Sequence, residues 1–351
     1  MLFQKRNALV KFIQVRKPNK KSIAVKTPLF PSEDQDKLKT QPDKADRMPI
    51  SFGNYKLIEE IGRGGMATLY KAYKHNRKSK FYAVKIPNYD RLAPKDKDDL
   101  HLLFEREVAI SQNLKNQNII YVYEAVSLKN DKKALVMEYI DGKDLGQIIS
   151  RLKQNNEKLP LNLLVYIATK ICAGIEYCHS KNKIHRDIKP GNIMVSFGGS
   201  VKIGDFGIAK EIGHENRDYT IVGSPGKSTP PFASSEQLCG KGADQLSDIY
   251  SLGLTLYYAF AGKPIKEIDP VNTDNKKTKK IMPLNKIIPG TPSDLNAIIM
   301  KCVQKKRSKR YQNLQALGED LVNLKFGLSI ASDEISLASD IVKLMQRLFQ
   351  S

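Results

Sequence analysis

Apolar positions recur with two different periods along this chain, and the change falls near Gly142. Before it, short runs of β-branched and aromatic residues are broken by turn residues, the mark of strands. Tyr55-Lys56-Leu57-Ile58 and Ala67-Thr68-Leu69-Tyr70-Lys71-Ala72 flank a Gly-rich turn and predict a β-hairpin, with Phe81-Tyr82-Ala83-Val84-Lys85-Ile86 as a third strand. Leu100 to Leu114 is helical by the spacing of Leu103, Phe104, Val108, Ile110 and Leu114. Ile120 to Ala125 and Lys133 to Glu138 read as two further strands. After Gly142 the helical period dominates. Leu161 to His179, opened by Pro160, and Asp248 to Phe260 read as buried helices, and Asp294 to Val303 and Gln315 to Leu324 as amphipathic ones. Two short strands, Ile193 to Val195 and Val201 to Ile203, sit between them. A strand-rich lobe followed by a helix-rich lobe is an α+β, two-lobed arrangement with a cleft as its natural ligand site.

The ends read differently. Met1 to Thr27 carries basic residues and no acidic ones, and Pro28, Pro31, Pro42 and Pro49 then punctuate a polar stretch. Residues 1–54 are therefore expected to be a disordered basic tail, the alternative being a short basic helix lined by Leu2, Phe3, Leu9, Val10 and Ile13. The expected domain spans 55–327, with a small lobe at 55–139 and a larger one at 140–327, and 328–351 forms a helical extension. The longest apolar run, Leu252 to Ala261, is too short for a membrane span, and the N-terminus lacks the order of a secretory signal. A cytoplasmic location with no transmembrane segment is expected. The net charge of +21 comes from diffuse Lys with few interleaved aromatics, so nucleic acid is not an expected partner. Cys172, Cys178, Cys239 and Cys302 form no paired motif, which argues against a zinc site or a disulfide frame.

The densest chemical signal is His185-Arg186-Asp187-Ile188-Lys189-Pro190-Gly191-Asn192, followed by Asp205-Phe206-Gly207. An Asp to receive a hydroxyl proton, a Lys two residues on, an Asn five residues on and a second Asp beyond form a phosphoryl-transfer set. Upstream, Gly62-Arg63-Gly64-Gly65-Met66-Ala67 is a loop whose glycines let backbone N–H groups approach phosphate. Lys85 follows in Ala83-Val84-Lys85, and Phe104-Glu105-Arg106-Glu107 offers it two carboxylate partners. Glu105 is set about 200° round the helix from Glu107 and is expected to face solvent.

These motifs, in this order, resemble the protein kinase superfamily, over about Tyr55 to Gly327. Lys189 points to serine/threonine rather than tyrosine specificity. Gly65-Met66-Ala67, Pro190-Gly191-Asn192 and Glu236-Gln237 look most like bacterial Hanks-type kinases. The resemblance implies ATP as phosphoryl donor, Mg2+ (or Mn2+ in its place) as cofactor, protein Ser/Thr hydroxyls as acceptors, and self-association for trans-autophosphorylation. It implies a catalytic role for Asp187, Lys189, Lys85 and Glu107, the last as the ion-pair partner of Lys85. It places Ile61, Gly62, Gly64, Leu69, Ala83, Lys85, Met137, Glu138, Ile140 and Asp144 around the nucleotide, Glu138 and Ile140 through their backbones and Asp144 at the ribose. Asn192 and Asp205 would hold the metal. His185 would pack within the catalytic loop, and Asp248 would anchor the backbone around it. Glu236 would pair with Arg310, and Thr229 would reach Asp187 and Lys189. Thr220 and Ser224 would be phosphorylation sites facing Arg186. Two departures stand out: Ala67 replaces the third glycine of the loop, and Ser234-Ser235-Glu236 replaces Ala-Pro-Glu. The rival readings are a pseudokinase scaffold and a small-molecule phosphotransferase of kinase-like fold. Loss of Lys85, Asp187, Asn192 or Asp205 would favour the first, and all four are present. Absence of Arg186 and of the Thr229 to Glu236 segment would favour the second.

Overall fold

The structure is a computed structural model, and it describes residues 48–89, 94–127, 133–206, 231–239, 242–263, 281–328 and 333–350. The basic tail up to residue 47 and the expected sites at Thr220, Ser224 and Thr229 lie outside the described residues.

The first lobe is a six-stranded antiparallel sheet. Its strands are β1 (Ile50–Phe52), β2 (Tyr55–Arg63), β3 (Ala67–Lys74), β4 (Arg77–Pro87), β5 (Val122–Ser127) and β6 (Lys133–Glu138). They run in the order β1-β2-β3-β4-β6-β5, and the helix α1 (Pro94–Ser111) joins β4 to β5. Strand β1 lies ahead of the hairpin expected at Tyr55. Its Ile50 and Phe52 are buried and pair with Leu57 and Tyr55, so the sheet starts inside the stretch read from sequence as tail. A three-residue strand at a proline-rich boundary is too short to show a period.

Alternation along the strands decides which side chains meet the cleft. Tyr82 and Val84 of β4, with Ala134 and Val136 of β6, pack on one face with Ile50, Phe52, Tyr55 and Leu57. Ala83 of β4, with Leu135 and Met137 of β6, packs on the other face against Phe104 and Val108 of α1. Lys85, two residues after Ala83, therefore emerges on the α1 side.

The second lobe is mainly helical. A three-stranded sheet, β7 (Gly142–Asp144), β8 (Ile193–Ser196) and β9 (Val201–Ile203), runs in the order β7-β8-β9 at its upper edge. Among the described residues the α-helices of this lobe are α2 (Leu145–Gln154), α3 (Leu161–Ser180), α4 (Ser235–Leu238), α5 (Gln245–Ala261), α6 (Leu284–Ile287), α7 (Ser293–Cys302), α8 (Leu314–Gly327) and α9 (Glu334–Phe349). Helix α3 is long and apolar enough to cross a membrane by length and composition, and most of it is buried inside this lobe. Gly253 lets α5 approach α7, because a Cβ there would sit 2.5 Å from the Cys302 Cβ. Strand β7 is too short to show a period, and α2, whose Leu145, Ile148, Ile149 and Leu152 are buried at helical spacing, is an element not foreseen. Asp144 starts α2 through a capping box with Gln147.

Helix α9 docks on the lobe rather than trailing from it. Leu337, Ile341, Leu344, Met345 and Leu348 are buried in the same core as α2 and α3. Arg151 Nε donates to the Leu348 carbonyl at 3.1 Å, and Arg347 pairs with Glu157 at 2.6 Å.

The lobes meet at a backbone seam. Ile120 N–H donates to the Ile203 carbonyl at 2.9 Å, Ile203 N–H to the Asn118 carbonyl at 2.9 Å, and Asn118 Nδ2 to the Val201 carbonyl at 2.9 Å. The loop after α1 is thereby stitched to β9, two residues before Asp205.

Candidate active site

Lys85 lies on β4 opposite Leu69 of β3, and Leu69 lies opposite Gly62 of β2. The glycine-rich loop, the apolar Leu69 and the ammonium are thus neighbours across three strands. Lys85 Nζ is 2.6 Å from Glu107 Oε1 and 2.9 Å from Asp205 Oδ1. One ammonium therefore joins α1, β4 and the turn after β9. Burial works against its charge, but the Asp205 and Glu107 carboxylates outweigh it and hold the ammonium above its ordinary value. Burial pushes the Glu107 carboxyl up, Lys85 pulls it down and Asp205 adds to the rise. The ammonium held by two carboxylates decides the matter, and the contact is an ion pair. Lys85 chiefly lowers the Asp205 carboxyl.

Of the two candidates on α1, Glu107 is thus the partner of Lys85. Glu105 does not face solvent as expected; it is half-buried and pairs with Lys133 Nζ of β6 at 2.5 Å. Helix α1 is overhung by β6 on that side, a tertiary fact that helical angle alone does not reveal.

The residues from His185 to Asn192 close on one another below. Lys189 Nζ lies 2.7 Å from Asp187 Oδ2. Asn192 Nδ2 donates to the Asp187 carbonyl at 2.8 Å and to Asp187 Oδ2 at 3.1 Å. Its amide nitrogen is so committed to Asp187 that its carbonyl oxygen is the atom suited to a cation. Arg186 and Asp205 hold φ of 69° and 58°, a left-handed conformation that non-glycine residues rarely adopt. The surroundings impose it. Asp248 of α5 is fully buried and accepts from Arg186 N–H and His185 N–H, each at 2.8 Å, with His179 Nε2 2.8 Å away. Gln237 Nε2 of α4 donates to the Arg186 carbonyl at 2.9 Å, a contact not anticipated from sequence. His185 is buried, its ring 4.6 Å from that of Phe206, with Nε2 3.1 Å from the Gly204 carbonyl. Burial lowers its pKa, which favours a neutral packing ring over an acid–base group.

At the joint between lobes, Met137 pairs in register with Ala83 and both are buried. Glu138 N–H donates to the Tyr121 carbonyl at 2.8 Å, and the Glu138 carboxylate meets Lys202 Nζ of β9 at 2.9 Å. Ile140 follows in the connection to β7. Ile61 is exposed beside Gly62 on β2. Asp144 lies at the end of β7, but its Oδ1 accepts from Gln147 N–H at 2.9 Å, so a ribose contact would share this carboxylate with the α2 cap.

Farther down, Glu236 and Arg310 form the expected pair. Arg310 Nη1 lies 2.6 Å from Glu236 Oε1 and Nη2 3.0 Å from Oε2, with both side chains buried. Ser234 caps α4 in a reciprocal box with Gln237. A serine thus supplies the start of the helix where the resemblance led one to expect a proline nearby.

Comparison with known proteins agrees with this geometry. The protein kinase domain model matches residues 55–322. The chain belongs to the protein kinase family. It is 34% identical over 280 residues to a probable serine/threonine-protein kinase of Clostridium acetobutylicum, covering 79% of this chain and 40% of that one. It is 30% identical over 296 residues to the serine/threonine-protein kinase PknB of Mycobacterium leprae, covering 82% and 44%. The chain therefore spans about two fifths of the length of these curated relatives. Among solved structures, the Mycobacterium tuberculosis PknI kinase domain superposes with a TM-score of 0.60 at 20% identity, covering 78% of this chain and 98% of that one. That likeness is one of fold.

Proposed function

We propose that this kinase domain transfers the γ-phosphoryl group of ATP to Ser/Thr hydroxyls of proteins, with Mg2+ as cofactor. The observation that carries the reading is the convergence of Lys85, Glu107, Asp187, Asn192 and Asp205 from both lobes on one cleft. Adenine would lie between Ala83, Leu69 and Met137, meeting the backbone at Glu138 and Ile140. Gly62 and Gly64 would let the loop descend on the phosphates, and Ile61 would cover the base. Lys85, fixed by Glu107, would grip the α- and β-phosphates.

Asn192 and Asp205 offer hard oxygen donors of the kind Mg2+ selects. Among the described residues no group of three His, Cys, Asp or Glu side chains gathers elsewhere as a metal cage. One amide and one carboxylate suit a cation that completes its shell with phosphate and water. When bound, Mg2+ neutralises charge on the phosphates. Asp187, oriented by Asn192 and Lys189, would accept the proton of the attacking hydroxyl, and Lys189 would offset charge on the moving phosphoryl group. Autophosphorylation between two copies, on Thr220 or Ser224, and a cytoplasmic setting belong to the same reading.

The acceptor class is the sharpest test. Purified protein is given γ-labelled ATP and Mg2+ with Ser/Thr peptides and, separately, with small alcohols and aminoglycosides. Label in phosphoserine or phosphothreonine supports the reading. Label confined to small alcohols, or wild-type protein that binds ATP and transfers nothing, overturns it in favour of one or other rival.

A further inference from the structure

Asn88 follows directly on the strand that carries Lys85, and it makes two contacts with the glycine-rich loop and a third with Thr68 just beyond it. Its backbone N–H donates to the Met66 carbonyl at 2.8 Å, and its side-chain Nδ2 donates to the Gly64 carbonyl at 2.8 Å. Its Oδ1 accepts from Thr68 Oγ1 at 2.8 Å, and Thr68 is buried. A carbonyl can only accept, so the Gly64 contact fixes which side of the amide carries its hydrogens. Gly64 N–H closes the tip onto the Ala67 carbonyl at 2.9 Å. Pro87, buried at the end of β4, sets the backbone just ahead of Asn88.

These contacts orient peptide planes. In a trans peptide the C=O and the following N–H point in opposite directions. With the carbonyls of Gly64 and Met66 tied back to Asn88, the N–H groups of Gly65 and Ala67 are turned to the opposite side. Two amide donors held in a fixed direction are what an anion-binding nest requires. The loop has Ala67 in place of a third glycine, so it has less intrinsic freedom to find that orientation, and a clamp at its root sets it.

We infer that Asn88, with Thr68, is a positioning residue that locks the glycine-rich loop in its phosphate-binding conformation. It does so by coupling the loop to the strand bearing Lys85. The inference rests on the ATP-binding reading above, and it concerns the loop's order rather than the chemistry of transfer. Asn88 touches no reacting atom; it acts through the carbonyls it holds.

The test uses the full chain and three variants: Asn88→Ala, the isosteric Asn88→Asp, and the near-isosteric Thr68→Val. Asn88→Asp keeps the acceptor for Thr68 but replaces the donor to Gly64 with an acceptor. Asn88→Ala is expected to raise KM for ATP about tenfold with kcat within about threefold, the scale of a lost hydrogen-bond clamp. Asn88→Asp should do at least as much, and Thr68→Val about threefold. Adding Thr68→Val to Asn88→Ala should cost little more, because both break one device. Hydrogen exchange on nucleotide-free protein should show faster exchange at residues 62–68, with α1 unchanged.

Wild-type loop exchange and KM within twofold in the Asn88 variants would overturn the inference while leaving the ATP reading intact. Conversely, failure of wild-type protein to bind a fluorescent ATP analogue with Mg2+ would remove the ATP reading, and unchanged loop exchange in the variants would still refute the clamp. If Asn88→Ala does not fold, Asn88→Asp and Thr68→Val decide by the same measurements.

Discussion

Replacing Arg310 with Met should unravel the second lobe from its lower edge, and the size of the effect follows from the contacts. Arg310 has no exposed side-chain surface, and Glu236 has 5%. The guanidinium gives two bonds to the Glu236 carboxylate, one to the Leu246 carbonyl and one to the Gln304 carbonyl, and it lies 4.6 Å from the Tyr250 ring centroid. After the substitution Glu236 keeps the Ser247 hydroxyl, 2.8 Å away, but loses its counter-charge while still buried. Breaking one side of a buried pair costs about 3–5 kcal/mol, because the remaining charge is stranded.

The pH dependence carries a second signature. Burial alone would raise the Glu236 carboxyl; the Arg310 hydrogen bonds and charge, with help from Ser247, hold it down at about 2 against an ordinary 4.5. A depressed folded value means that the pair's contribution is complete above 4.5 and is lost as the pH falls towards 2. The gap between wild type and Arg310→Met should therefore be full at pH 7 and narrow below about 4.5. Urea unfolding at pH 7 and at a series of acidic values measures it. The double variant Glu236→Leu with Arg310→Met should recover part of the loss, because no charge is then stranded. A cost under about 1 kcal/mol at pH 7, far below the range for buried pairs, would refute the reasoning, as would a gap indifferent to acid.

Other outcomes are equally specific. Glu107→Gln, assayed by steady-state kinetics, should weaken ATP use about 10–100-fold, the loss of a positioned charge contact, without a change in melting temperature; unchanged kinetics would contradict the role of the pair. Asp205→Asn should shift the Mg2+ concentration for half-maximal activity upward; an unmoved Mg2+ titration would place the metal elsewhere. Ile341→Ala in α9 should cost about 2–5 kcal/mol by chemical denaturation, as a truncation in a packed core does; under about 1 kcal/mol would show that this helix is not part of the core. A thiol reagent should label one cysteine quickly in native protein, the exposed Cys239, because Cys172, Cys178 and Cys302 are buried and burial pushes their thiols up. Mass mapping of early label at any of those three would contradict that.

Much of the fold was legible because its elements are long or strongly periodic. The β-branched and aromatic run from Phe81 to Ile86 announces β4, the pleat of that strand puts Lys85 on the same side as Ala83, and α3 and α5 are apolar over most of their lengths. The pairings of Lys85 with Glu107 and of Glu236 with Arg310 came from spacing within a family pattern, and both contacts are made. Apart from α2, whose Leu145, Ile148, Ile149 and Leu152 do lie at helical spacing, what escaped the sequence was tertiary or very short. Strands β1 and β7 have three residues each and show no period. Glu105 was misplaced because the neighbour that shelters it, Lys133, lies on β6. Asn88 and Gln237 act through backbone carbonyls that no side-chain motif encodes. An Asn just past a Lys-bearing strand, next to a glycine-rich turn, is a signal that could have been noticed.

Single-turnover transfer from γ-labelled ATP with Mg2+, in wild type and Asp187→Asn side by side, puts the convergent cleft to the test. Asp187→Asn should bind the nucleotide within about threefold of wild type yet transfer phosphate about 10²–10⁴ times more slowly, because the acceptor of the hydroxyl proton is gone and the grip on ATP is not. Equal transfer rates in the two proteins would contradict the account.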